Sequence, residues 1–196
     1  GRMLRRTSPV MFSYMVPDSV SARGVVVPEL HVRYNLQDPE QQVPYQIEAG
    51  TAIYIHSVAI DVDRIGRLES EKDPYVENRA KRVELAFDAL KTLYGGLLFG
   101  AKKARYLPII ETLGAIAGVA DPLPFNVTPP RFGDYVAENL LRAKSYNVSD
   151  VKLFCFDKEG ITSCKRAEGV DASDSLEALI DKVKEAVMEK IGAVEK

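Results

Sequence analysis

The chain has 196 residues, 46% of them hydrophobic and 28% charged, and a formal net charge of −2. That size and balance predict one globular domain with a real core, spanning 1–196. It holds no apolar run long enough to cross a bilayer and no secretory leader, which predicts a cytoplasmic protein with no membrane partner, and its two cysteines rule out a disulfide scaffold or a structural zinc site.

Arg2, Arg5 and Arg6 lead into Val10, Phe12, Tyr14 and Val16, which alternate with Met11, Ser13 and Met15 and predict a strand ended by Pro17. After a loop over 17–28, Leu30, Val32 and Tyr34 take one face of a second strand and leave His31, Arg33 and Asn35 on the other, a polar and cationic face. A polar loop over 36–46, stiffened by Pro39 and Pro44, leads to residues 52–62, which are apolar on both faces and so are expected to form a central strand. His56 within that run is expected to be a hydrogen-bonded, half-buried residue.

Around the next stretch the rest of the chain is organised. Asp73 is placed to cap a helix with Pro74 at its first position. Val76, Ala80, Val83, Phe87, Leu90 and Tyr94 recur at helical steps and predict its buried face, with Gly95-Gly96 as its exit. The opposite face is expected to carry Arg79, Lys81, Arg82 and Lys91, and the glycine loop beyond it adds Gly100, Lys102, Lys103 and Arg105. Between 79 and 105 seven Lys/Arg stand against Glu84 and Asp88, so this segment is strongly basic inside a chain that is slightly acidic. A glycine admits a close backbone approach, and the cations beside it offer N–H groups and charge to phosphate oxygens, which points to an RNA backbone. A Walker-type phosphate loop is excluded, because no Gly-Lys-Ser/Thr follows Gly100.

Residues 109–119, with Gly114 and Gly118, read as a short strand, and a proline-stiffened loop over 120–132 follows. A helix is expected over 134–146, then a hairpin of strands 151–156 and 161–165 turning near Glu159-Gly160. A two-residue turn sets Cys155 opposite Cys164, where a cross-strand disulfide fits, whereas a four-residue turn separates them, and two free buried thiols are the commoner cytosolic outcome. The chain closes on a helix from Ser175, with Asp174 and Glu177 as a capping box and Leu176, Ile180, Val183, Val187 and Ile191 as its core stripe. Seven acids against four lysines from 171 on predict that this end faces away from nucleic acid. Interleaved strands and helices predict an α+β fold, a mostly antiparallel sheet with helices on one face.

No metal-ligand spacing is present, and the sharpest enzymatic arrangement is His31 with Arg33 and Lys102 or Lys103 as a metal-independent ribonuclease centre. Such residues also bind RNA without cutting it. In order, Arg5-Arg6-Thr7-Ser8, His31-Val32-Arg33-Tyr34, the strand through Ala52 and Tyr54, Ala80-Lys81-Arg82-Val83, and Phe99-Gly100-Ala101-Lys102-Lys103-Ala104-Arg105-Tyr106-Leu107-Pro108 resemble the archaeal backbone subunit of the type I-A CRISPR Cascade complex, a RAMP-superfamily protein of the CRISPR-associated autoregulator (DevR) family.

The resemblance runs through about Lys144 and implies an RRM-like (ferredoxin-like) core with inserted loops. It implies copies that associate side by side in a helical filament along a CRISPR guide RNA, hold its phosphates, and leave base edges free for target DNA, with other Cascade subunits as further partners. It implies no catalysis and no cofactor. Carried over, His31 and Arg33 face RNA, Gly100, Lys102, Lys103 and Arg105 grip its backbone, and Arg5, Arg6, Arg79 and Arg82 add contacts. Family members extend further at the N-terminus, where they supply a first strand and helix of the core, so this chain is expected to be a fragment. The competing expectations are a RAMP endoribonuclease that processes CRISPR RNA and a DNA-binding autoregulator.

Overall fold

The computed structural model describes residues 7–18, 26–33, 43–50, 52–68, 75–96, 110–131 and 133–194, with the backbone course alone over 26–33, 43–50 and 193–194. In chain order the elements are β1 (Val10–Phe12), β2 (Val16–Pro17), β3 (Val26–Arg33), β4 (Val43–Gly50), β5 (Tyr54–Ile55), β6 (Val58–Ile60), a 3-10 turn (Val62–Arg64), α1 (Arg79–Tyr94), β7 (Gly114–Asp121), α2 (Tyr135–Ser145), β8 (Asp150–Asp157), β9 (Val170–Ser173) and α3 (Leu176–Val194). They fall into two compact units, one of residues 13–57 and one of residues 1–12 with 58–196.

In the smaller unit β2 pairs antiparallel with β5, and β3 with β4 from Val26–Gly50 to Arg33–Val43. The strand expected over 10–16 is interrupted after Phe12, and Pro44, expected in a loop, is a strand residue opposite Val32. Residues 52–62 are not a central strand. They divide into β5 and β6, each in a two-stranded pair, and Ile53 and Tyr54 are exposed. An apolar run signals burial on two faces only if a layer covers each, and the exposure of Ile53 and Tyr54 shows that this condition is not met at β5. His56 is half-buried, with Ser13 Oγ 3.4 Å from its Nδ1.

The larger unit is built on the sheet β7-β8-β9. β7 and β8 are antiparallel from Gly114–Asp157 to Asp121–Asp150, while β9 lies parallel to β8. Strand alternation sorts the side chains. Ala115, Ala117, Val119, Phe154 and Phe156 join Val83 and Phe87 of α1 and Leu179, Ile180, Ala186, Val187 and Ile191 of α3 in one core. The mixed α+β fold is therefore an open, largely antiparallel sheet with α1 and α3 on one face. Cys155 and Ile116 point the other way, against Tyr135 and Val136 at the start of α2. Gly114 makes that approach feasible, since a Cβ there would lie 2.3 Å from Tyr135 Oη. Burial, and then the nearby Asp157 carboxylate, push the Tyr135 hydroxyl pKa up to about 12. Asn139, fully buried on α2, clamps the proline-stiffened loop: it accepts from Thr128 N at 2.7 Å and donates to Thr128 O at 2.9 Å.

Three local expectations are corrected. α1 starts at Arg79 rather than at Pro74, because Tyr75 is held in a bridge to Arg67 and Val76 N donates to Gly66 O at 2.9 Å, after which a turn over 77–78 leads into the helix, with Asn78 at the cap position but making no side-chain capping hydrogen bond. Asp73 and Pro74 lie outside the described residues. The hairpin 151–165 does not form: the Asp157 carboxylate accepts from Gly160 N, Thr162 N and Thr162 Oγ at 2.6–3.0 Å, winding 158–163 into turns. Cys164 nonetheless reaches Cys155, and the two are bridged with their Cα atoms 5.8 Å apart. At the head of α3 the cap is Ser175, whose Oγ accepts from Ala178 N at 3.1 Å; Asp174 points to solvent and pairs with Lys165.

Candidate nucleic-acid interface

Of the ten residues expected to meet RNA, Arg5, Arg6, Gly100, Lys102, Lys103 and Arg105 lie outside the described residues. His31 and Arg33 stand two apart on β3, opposite Tyr45 and Val43 of β4. Arg79 and Arg82 open α1, and the structure separates them.

Arg79 does not join a solvent-facing basic surface. It is only 3% exposed, its guanidinium lies 3.9 Å from the Tyr75 ring centroid, and its Nη2 donates at 3.4 Å to Val62 O and to Asp63 Oδ1. A helical wheel places this residue on the polar side, but the segment 62–67 and the bridge to Tyr75 fold over it. Arg79 thus fastens the start of α1 to the preceding turn, a cation–π and hydrogen-bonding role. Arg79→Ala is expected to cost about 1–3 kcal/mol of stability, read from thermal unfolding, and to leave the RNA affinity of the folded protein unchanged. A variant with unchanged unfolding and weakened RNA binding would return Arg79 to the interface.

Arg82 is exposed and donates from Nε to Asn78 Oδ1 at 2.8 Å. Lys81, one residue away, is also exposed; its hydrogen bond and charge interaction with Glu84 raise its pKa, so it stays cationic. Lys91 is engaged within the fold, 2.6 Å from Asp181 of α3, and that hydrogen bond holds the Asp181 carboxyl below the usual range. Lys184 of α3 answers with Asp88 at 2.9 Å. The acidic last helix therefore neutralises part of the basic one. Of the four α1 cations, Lys81 and Arg82 are the two left on the open face.

The ends of the basic glycine segment are placed even though the segment is not described. Tyr94 and Gly95 before it and Ile110 after it line one groove of about 480 Å3. Its floor includes Phe156 and Ser173, and its sides carry Lys158 and Lys165 and the start of α3. Ser173 Oγ is buried without a hydrogen-bond partner among the described residues. Lys158 pairs with Glu111 and Lys165 with Asp174, so both cations are balanced within the groove. This groove had no signal in the sequence, because residues from five separate stretches build it. Among the described residues no three His, Cys, Asp or Glu side chains converge as metal ligands, and no helix is long and apolar enough to cross a membrane.

Comparison with known proteins bears on the whole arrangement. The family model described as CRISPR-associated negative auto-regulator DevR/Csa2 matches residues 1–140. CRISPR-associated protein Cas7/Csa2 1 of Saccharolobus solfataricus is 36% identical over 143 residues, covering 68% of this chain and 44% of that protein. The chain thus spans less than half the length of this relative. The matched region contains the arginine-rich start, β3, all of α1 and the basic glycine segment, and with it the chain belongs to the CRISPR-associated DevR/Csa2 family of proteins.

Proposed function

We propose that this chain is part of a non-catalytic backbone subunit that binds a CRISPR guide RNA through its phosphates, leaves the base edges to target DNA, and assembles with copies of itself and with other Cascade subunits. Membership of the DevR/Csa2 family carries this reading. The open sheet with α1 and α3 on one face supports an RRM-like (ferredoxin-like) core. Because Arg79 and Lys91 are taken up inside the fold, the phosphate grip falls to Gly100, Lys102, Lys103 and Arg105, with Arg82, His31 and Arg33 beside them and Arg5 and Arg6 as further contacts.

A recognition helix for DNA is the weaker reading of α1. Val83 and Phe87 are in the core and Asp88 and Lys91 are bonded to α3, which leaves only one side of the helix for a groove.

Affinity for single-stranded RNA is expected to be electrostatic and sequence-tolerant, and to fall steeply with salt. Replacing Lys102, Lys103 and Arg105 together with Ala is expected to flatten the log–log salt slope by about 0.7 per lost phosphate contact. A triple variant with the wild-type slope would remove this segment from the binding site.

A further inference from the structure

Within residues 13–57 one backbone irregularity presents a side chain in an unusual way. The Ser13 amide donates to Ser57 O at 2.9 Å, the Ser57 amide donates to Ser13 Oγ at 2.8 Å, and Val16 faces Ile55. Between these pairs two residues, Tyr14 and Met15, stand opposite one, His56, which makes a β-bulge. The Ser13 hydroxyl closes it: besides accepting from Ser57, it donates to Tyr14 O at 2.9 Å and lies 3.4 Å from His56 Nδ1. A bulge bends its strand and re-aims the side chain at the extra position. Here it leaves the Tyr14 residue 91% exposed, against 58% for Met15, 56% for Val16 and 45% for Tyr54.

Two observations select the partner. The ring stands clear of its apolar neighbours, open on its faces to another planar ring. The two stretches that form the bulge, residues 13–18 and 52–57, carry no lysine or arginine, so an RNA contact made at Tyr14 goes to the uncharged part of the nucleotide. We propose that Tyr14 is a nucleobase-stacking residue, held out by the Ser13–His56 bulge as a platform for one unpaired base of single-stranded RNA. This rests on the RNA-binding reading above and adds a contact of a different kind, one to a base face and therefore sequence-tolerant and insensitive to salt.

The chain contains no tryptophan, so Tyr14→Trp introduces a single indole as a reporter. The variant is titrated with oligoadenylate while binding is followed independently by the anisotropy of end-labelled RNA. Indole emission is expected to be quenched in step with RNA binding. Tyr14→Ala is expected to weaken binding about 5- to 150-fold with an unchanged salt slope, and Tyr14→Phe, which keeps the ring, to bind as the wild type does. RNA that saturates the protein while the indole emission stays constant overturns the proposal. So does an emission change that follows protein concentration without RNA, which would make Tyr14 a protein contact. Should labelled RNA fail to bind the wild-type chain, the RNA-binding reading fails first and the stacking proposal with it.

Discussion

Phe154→Ala is expected to lower the unfolding free energy by about 3–5 kcal/mol. Phe154 is 1% exposed at the middle of β8, flanked by Ala117 on β7 and Asp171 on β9, and it belongs to the core that α1 and α3 share with the sheet. Its β7 neighbour is small, and the flanking strands are fixed by their ladders, so the space it leaves cannot close by collapse. The cost is then the lost transfer of the ring plus a cavity term. Leu85→Ala on the solvent side of α1, where Leu85 is 63% exposed, is the control and is expected to change stability by less than about 0.5 kcal/mol. Urea unfolding of both variants checks this. A loss at Phe154 no larger than the control's would mean that helices and sheet do not share one cooperative core.

The same core shows which parts of the fold were legible in the sequence. The stripe Ile180, Val187 and Ile191 on α3 and the helix expected over 134–146 are set by local spacing and local hydrogen bonds, and both form as expected, α2 being capped by Asp134, which accepts from Ala137 N at 3.1 Å. What failed depends on distant chain. Strand periodicity predicts a hairpin after β8 but says nothing about partners; the Asp157 side chain captures the turn and β9 becomes the parallel neighbour. The Cys155–Cys164 bridge was open in the sequence for the same reason, and it forms from a turn rather than across two strands. In the candidate interface, Arg79 looked like Arg82 on a helical wheel, and only the fold of residues 62–67 over it distinguishes a buried clamp from an exposed cation.

Deleting Leu36 to Gln42 is expected to leave a folded protein that no longer forms particles whose length follows that of the RNA. The pairing of Arg33 with Val43 gives the reason for expecting a folded product. With those residues removed, Tyr34-Asn35 remains between the paired positions, and two residues are a length that a hairpin turn accepts. The deleted residues themselves lie outside the described ones. Their proposed role comes from the geometry of assembly: a small subunit covers a long guide only through one repeated head-to-tail contact, which stays open unless its rotation closes a ring. A polar, proline-stiffened excursion much longer than its hairpin requires is a candidate for that contact. Circular dichroism checks the fold, and light scattering or electron microscopy the particles. A deletion variant whose particles still lengthen with the RNA removes this segment from the contact.

On the proposed function the chain holds RNA without cutting it and does so in multiple copies. Its most direct test is incubation of the purified protein, without chelator, with RNAs of increasing length, reading binding, RNA integrity and particle length in the same samples. Expected are salt-sensitive binding, intact RNA, particles that lengthen with the RNA, and weaker binding but no other change in His31→Ala. Cleavage of a repeat-derived RNA that disappears in His31→Ala, with no growth of particles, would contradict it and make the protein a ribonuclease.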